Sequence, residues 1–218
     1  MVTEAVEGDK MPTELFNSLK EEKKNAVINA ALEEFGSCGV INASTNNIVK
    51  RCGISKGSLF KYFETKDDLC FYLFEMVTNE MLGDLANKMK DFSSEIFQKI
   101  IDYSVWETSW YIDNPLKGRF VIAVAGEKDA TFEEKLKTRF GAKSDNVYLS
   151  LMSELDTDNF SVDVDTLSNL IKWTVEGYNK EFLAGIDMNK SSLQELKDEY
   201  MSGLTVYINA IKGVTINE

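Results

Sequence analysis

Two groups of residues in the 218-residue chain have the types and spacing to do chemistry. In the first, Lys50, Arg51, Lys56, Lys61 and Lys66 crowd the stretch from Thr45 to Lys66, where Glu64 is the one anion and Phe60, Tyr62 and Phe63 stand among the cations. The whole chain carries a net charge of −12. A basic island on an acidic body is the electrostatic footprint of a polyanion site, although a solvated charged surface gives the same run of residues. Lys56 and Lys66 each open a predicted helix, where the macrodipole disfavours a cation by ~0.3–1 kcal/mol unless an anion such as phosphate completes the site. For Lys66, neutralisation by Asp67 and Asp68 is the alternative. In the second group, Tyr103, Trp106 and Trp110 fall at i, i+3 and i+7 with Glu107 beside them. Such an aromatic stripe with one polar group suits a small-molecule pocket, and suits an ordinary core equally.

Other chemistries lack their residues. The chain has no histidine, which removes Ser-His-Asp and Cys-His machinery, zinc helices of the H-E-x-x-H type and a histidine general base. Cys38, Cys52 and Cys70 are odd in number and show no C-x-x-C spacing, so neither a disulfide framework nor a metal site is expected, and reduced thiols in a cytoplasm fit best. Glycines 36, 39, 53 and 57 form no phosphate loop. No catalytic residues, no cofactor and no enzyme activity are predicted. Neither a secretory leader nor an apolar run of ~20 residues is found, so no membrane partner is expected.

The elements that must position these groups read as helices throughout. Only Pro12 and Pro115 interrupt the chain, and no strand alternation or hairpin turn is evident. Periodicity predicts a helix over 19–35, stopped by "GSCG", with a short turn of helix allowed before it. A second covers about 45–52, with Ser44 or Thr45 as N-cap and Gly53 as a left-handed C-cap. A third runs over 56–63 with Ser55 as N-cap, burying Leu59 and Phe63 and leaving Gly57, Ser58, Lys61 and Tyr62 outside. Two short helices about a glycine turn make a helix-turn-helix. A fourth begins at Thr65, with Asp68 completing a capping box, and extends towards Phe92. Further helices are predicted over 93–113, 117–125, 131–155, 163–186 and 191–212.

In this order and spacing, "AALEEFGSCG", "TNNI", "GISKGSLFKYF" and "KDDL" are distinctive. The span Glu21–Phe74, about a quarter of the chain, resembles the DNA-binding domain of the TetR/AcrR family of bacterial transcriptional regulators. The resemblance implies an all-α fold: an amino-terminal three-helix DNA-binding domain with a helix-turn-helix, 19–66, and a larger helical ligand-binding and dimerisation domain, 67–218. It implies a homodimer that binds double-stranded operator DNA, most often as a repressor released by a small inducer.

Carried over residue by residue, 56–63 is the recognition helix. Lys56 and Gly57 match positions near base edges, and Phe60, Lys61 and Tyr62 match positions that touch thymine methyls, bases and phosphates. Ser55 and Ser58 share this DNA-binding set. Ser44 and Thr45 match phosphate-contacting hydroxyls, and Lys66 matches a phosphate-binding lysine. Phe60 departs from the usual tyrosine, which removes the bonding that a hydroxyl there would give. Leu59 and Phe63 are expected in the domain core with Ala30, Phe35, Ile48 and Val49. Inducer pockets of the family make Tyr103, Trp106, Glu107, Trp110, Phe120, Tyr148 and Trp173 the candidate ligand-binding set, suited to a flat or lipophilic compound.

The last two helices carry Leu167, Leu170, Ile171, Thr174, Val175 and Tyr178, and Leu193, Leu196, Tyr200, Leu204, Tyr207 and Ile208. The family's corresponding pair forms a four-helix bundle with a second copy, whereas internal packing within a monomer is the alternative. A two-fold dimer would set its recognition helices ~34–36 Å apart on a palindromic site. The other reading is a DNA-binding scaffold whose helical body engages a protein partner without a small inducer.

Overall fold

The structure, a computed structural model, describes residues 12–140, 148, 151–152, 160–185 and 192–216. It forms two compact units, residues 1–83 with 114–139, and residues 84–113 with 140–218. Among the described residues no helix is long and apolar enough to cross a membrane.

The first unit opens with α1, Glu14–Asn17, which brings Phe16 into the core. The Phe16 ring centroid lies 4.9 Å from that of Phe63, 5.6 Å from Tyr72 and 5.7 Å from Tyr62. Helix α2, Glu21–Cys38, buries Val27, Ala30, Ala31, Leu32 and Phe35. It runs past the expected stop because Gly36 is a packing glycine. A Cβ there would come 3.2 Å from Arg119 Cβ and from the Phe120 backbone N. The turn falls at Gly39, whose φ of 76° suits a residue without a Cβ.

Helix α3, Thr45–Cys52, ends at Gly53 in the left-handed conformation, as its sequence predicts. Helix α4, Lys56–Tyr62, starts where the Ser55 side chain accepts the Ser58 N–H. Helix α5, Lys66–Lys88, begins with the expected reciprocal cap, Thr65 N–H to Asp68 at 2.9 Å and Asp68 N–H to Thr65 Oγ1 at 3.1 Å. Leu59, Phe63 and Ile48 are buried as expected, and Val49 is half-buried.

The unit also takes in α7, Pro115–Ala125, and α8, Ala130–Phe140 up to Arg139. Pro115 occupies the first turn of α7, where its missing N–H costs no helical bond. Phe120 of α7 packs on Phe35 of α2, and Phe132 of α8 stacks on Phe71 of α5. The expected DNA-binding segment, 19–66, therefore lies inside a larger unit built with helices from much later in the chain.

The second unit contains α6, Ile96–Asp113, α9, Val164–Gly185, and α10, Leu193–Thr215. The predicted helix 131–155 is met by α8 and by helical positions at 148 and 151, and its remaining positions, apart from a turn at 152, lie outside the described residues. Helix α10 opens on a capping box between Ser192 and Glu195. Phe97, Ile100, Ile101, Leu167, Ile171, Val175, Tyr200, Leu204 and Ile208 form the core, joined by Tyr103, Tyr148 and Met152. Leu167, Ile171, Val175, Leu196, Tyr200, Leu204 and Ile208, which the sequence left open as bundle-forming positions, are thus filled from within the chain. Leu170, Leu193 and Tyr207 of the same set stay outward, together with Trp173, Met201, Val206 and Val214.

Candidate functional site

The helix-turn-helix presents the outer surface of α4. Lys56, Gly57, Phe60 and Lys61 are exposed, Phe60 by 41 %, and Ser58 is half-buried. Lys56 Nζ stands 6.0 Å from the centre of the Phe60 ring, one turn on, within cation–π range. Ser55 is committed to the cap, and its hydroxyl also meets that of Ser58 at 2.9 Å. Among the described residues, Lys50, Lys56 and Lys61 are exposed cations without an ion pair. Arg51 instead reaches back to α2, 2.7 Å from Glu33 and 3.9 Å from Glu34. The island's available charge is therefore concentrated in three lysines on α3 and α4.

Tyr62 requires a correction. Expected outside, it is 4 % exposed, because Phe16 of α1 packs over it. The chain before α1 ties to the same place: Thr13 N–H and Oγ1–H donate to the carbonyls of Tyr62 and Lys61, at 3.1 and 2.9 Å. Phe16 and Thr13 thus close the end of α4 while leaving Lys61 outward.

The turn from Val40 to Ala43, which leads into α3, is held from three directions. Lys66 Nζ donates to the carbonyls of Val40 at 2.9 Å, Ile41 at 2.7 Å and Ala43 at 3.2 Å. An ammonium has three donors, and these bonds use all of them. Glu127, after α7, accepts the Ile41 N–H at 3.2 Å. Buried Glu34 accepts the Ser44 N–H at 3.0 Å and Asn47 Nδ2–H at 2.9 Å. Ser44 is the N-cap residue, as expected, but its own side chain makes no cap bond, and the α2 carboxylate instead holds its backbone N–H. Ser44 and Thr45 are half-buried at the start of α3. The cation that the helix dipole of α5 would disfavour is stabilised by carbonyl dipoles of another segment.

In the second unit, Tyr103, Trp106, Glu107 and Tyr148 gather around one face of α6. Tyr103 is 6.0 Å from Trp106 and 5.9 Å, edge-on, from Tyr148, by ring centroids. Glu107 Oε1 accepts the hydroxyls of Tyr103 at 3.2 Å and Tyr111 at 3.5 Å. Burial pushes the Glu107 carboxyl up to about 7, against the two tyrosine hydroxyls, which favour its charged form, while Glu176 adds repulsion. Burial likewise raises Tyr103, Tyr111 and Tyr148, with the Glu107 charge acting in the same direction. Trp110 is buried with its indole N–H on Asp84 at 3.0 Å. Two predicted members lie elsewhere. Phe120 belongs to the first unit, wedged against Phe35, and Trp173 is 65 % exposed on α9.

Residues 27–73 match the family model described as bacterial regulatory proteins, tetR family. A helix-turn-helix transcriptional regulator of Staphylococcus aureus, strain bovine RF122, is 32 % identical over 84 residues, 38 % of this chain and 45 % of that protein. The chain carries the DNA-binding domain of the TetR family. It spans under half the length of such curated relatives, which include a regulator from strain USA300 at 31 % identity over 85 residues. Among solved structures, a TetR family transcriptional regulator from Chloroflexus aurantiacus J-10-FL aligns over 96 % of this chain and all of its own, with a TM-score of 0.72 at 19 % identity. FadR from Bacillus subtilis, in complex with stearoyl-CoA, aligns over 83 % of this chain and 97 % of its own, with a TM-score of 0.62 at 15 % identity. At these identities the two structures show that the TetR fold extends through the helical body.

The TetR-family match spans α2 from Val27 through α5 to Leu73, and so contains both helices of the helix-turn-helix and Lys66. Sequence reasoning missed Glu34, Glu127 and the backbone bonds of Lys66. A buried acid eleven residues before the start of α3 was a usable signal for Glu34. Glu127 carried none, since its partner is 86 residues away.

Proposed function

We propose that this protein is a ligand-responsive transcriptional regulator, a repressor that binds a palindromic operator as a homodimer and leaves it when a small lipophilic or aromatic inducer binds. It acts on DNA in the cytoplasm. The observation that carries the reading is the surface of α4, where unpaired Lys56 and Lys61 flank exposed Gly57 and Phe60. Lysines neutralise phosphates and reach guanine edges, a glycine admits close approach of the groove wall, and an aromatic ring meets thymine methyls. Ser44, Thr45, Ser55 and Ser58 supply hydroxyls near the helix starts, and Tyr62 supports α4 from beneath. Lys66 serves the interface through the Val40–Ala43 turn that sets the start of α3.

The outward apolar residues of α9 and α10, with Trp173 the largest, support a dimer in which a second copy covers them. Tyr103, Trp106, Glu107, Trp110 and Tyr148 support an inducer site in the helical body. The likeness in fold to FadR, whose structure holds stearoyl-CoA, supports a body able to take a ligand. Gel-shift titration of the DNA upstream of the protein's own gene tests the reading. A salt-dependent, sequence-preferring complex that Lys56→Ala weakens is expected, and the absence of sequence preference at every salt concentration contradicts it.

The same outward apolar face favours a second reading, in which the helical body engages another protein and no inducer exists. Sedimentation separates the two: a dimer at micromolar concentration supports the regulator, and a monomer supports the scaffold.

A further inference from the structure

Helix α4, the element proposed to read DNA, is short. Its seven residues, Lys56–Tyr62, make under two turns, and a helix of that length keeps its shape and place only through what packs on it. Its start is fixed locally, by the Ser55 cap. Its end depends on a distant segment. The Phe63 N–H goes back to the Leu59 carbonyl, while the carbonyls of Lys61 and Tyr62, like those of any last turn, have no partner within the helix.

One residue ahead of α1 satisfies both. Thr13 N–H donates to the Tyr62 carbonyl at 3.1 Å, and Thr13 Oγ1–H to the Lys61 carbonyl at 2.9 Å. Thr13 is the N-cap residue of α1, a position from which a threonine side chain ordinarily accepts an N–H of its own helix. It makes no such bond. Its hydroxyl goes instead to a carbonyl 48 residues away in sequence. Phe16, one turn further on and fully buried, sets its ring against Tyr62 and Phe63 at the end of α4 and against Tyr72 of α5, and the Phe63 and Tyr72 rings are themselves 5.4 Å apart by centroids. Four rings tie the last turn of α4 to α5. Polar bonds to the backbone and aromatic contacts to the side chains thus converge on Lys61, Tyr62 and Phe63, with the Lys61 side chain left exposed. The strap lies ahead of residues 27–73, the span that matches the family model.

Resting on the reading of α4 as the recognition helix, we infer that Thr13 and Phe16 are positioning residues for sequence recognition. They set where the far end of α4, with Phe60 and Lys61, stands against the bases, and they do so without touching DNA. The consequence is selective. Attraction of lysines to phosphates acts over several ångströms and tolerates a small shift of the helix, so it carries binding to any duplex. Contacts to base edges and thymine methyls need placement within hydrogen-bond or van der Waals distance, and one good contact is worth roughly 5- to 150-fold in discrimination. Loosening the strap therefore lowers affinity for the preferred sequence and leaves affinity for arbitrary DNA as it was.

The test uses the full-length protein, the duplex that it enriches from a randomised pool, and a scrambled duplex of the same length and composition. Thr13→Val keeps the side-chain shape and the backbone N–H and removes the hydroxyl donor, whereas Thr13→Ser keeps the donor. Thr13→Val is expected to bind the enriched duplex at least ~5-fold more weakly. Its affinity for the scrambled duplex is expected to stay within about twofold of the parent protein's. Thr13→Ser is expected to recover most of the loss. Phe16→Leu, which fills the corner without a ring, is expected to act in the same direction, and the Thr13 pair decides alone where that variant does not fold. Unchanged affinity of Thr13→Val for the enriched duplex, an equal loss on both duplexes, or a Thr13→Ser no better than Thr13→Val overturns the inference and leaves the DNA reading intact. A pool from which the unaltered protein enriches nothing removes the DNA reading, and the inference with it.

Discussion

Lys66 shows how a side chain at a helix start can be committed to the backbone of another segment. Its three donors are spread over the carbonyls of Val40, Ile41 and Ala43. Removing them in Lys66→Met leaves polar groups without partners, so a stability loss of ~1–3 kcal/mol is expected in urea unfolding. Operator binding is expected to weaken while the slope of log affinity against log salt stays unchanged. For Lys56→Ala and Lys61→Ala the expectation reverses: little change in stability, and a salt slope shallower by ~1 for each phosphate that is no longer neutralised. A shallower slope in Lys66→Met would assign that lysine to a phosphate after all. Glu107 makes a second prediction at this scale. Its native carboxyl is raised to about 7, above its ordinary value, so the native state binds the proton more tightly than the unfolded chain does. Stability then falls as pH rises from about 4.5 towards 7 and levels off above it. Glu107→Gln, neutral throughout, is expected to gain on the parent protein by up to roughly 3 kcal/mol at about pH 8 and little at about pH 4.5, measured by thermal unfolding across pH.

The helices explain which of these features were legible in advance. Ser55 as a cap, Gly53 as a left-handed stop and the Thr65–Asp68 pair were readable because donor and acceptor lie within four residues, where local geometry decides the outcome. Ser44 takes the N-cap position of α3 without bonding through its side chain, and its N–H goes to Glu34, one helix earlier, a partner that local sequence does not reveal. Tyr62 was placed outside because the periodicity of α4 cannot reveal that α1 lies over it. Phe120 and Trp173 stand apart from the aromatic cluster of α6 for a related reason. An aromatic on an amphipathic helix marks an apolar face, and only tertiary packing shows whether that face meets α2, a ligand or another molecule. Gly36 belongs to the same class, read as a helix stop and found as the point where α2 meets α7. Gly36→Leu is expected to destabilise the protein by ~1–3 kcal/mol in denaturant unfolding, because Arg119 and the Phe120 backbone leave no room for the side chain.

At the scale of the whole molecule, the family match and the basic island both lie in the amino-terminal third, and that part was the most legible. In the body, Leu167, Ile171 and Leu204, open in the sequence to a dimer seam or to internal packing, pack within the chain. If a second copy covers Trp173, then Trp173→Asp is expected to convert dimer to monomer in sedimentation velocity, with helix content retained and operator affinity lowered. Recognition of DNA is the function on which the dimer and inducer readings depend. Selection of duplexes from a randomised pool by the full-length protein, followed by titration of the enriched sequence across salt concentrations, tests it most directly. The expected product is a palindrome with half-sites about one helical turn apart, bound less tightly as salt rises and more weakly by Lys56→Ala. A pool that shows no enrichment at any salt concentration contradicts the account.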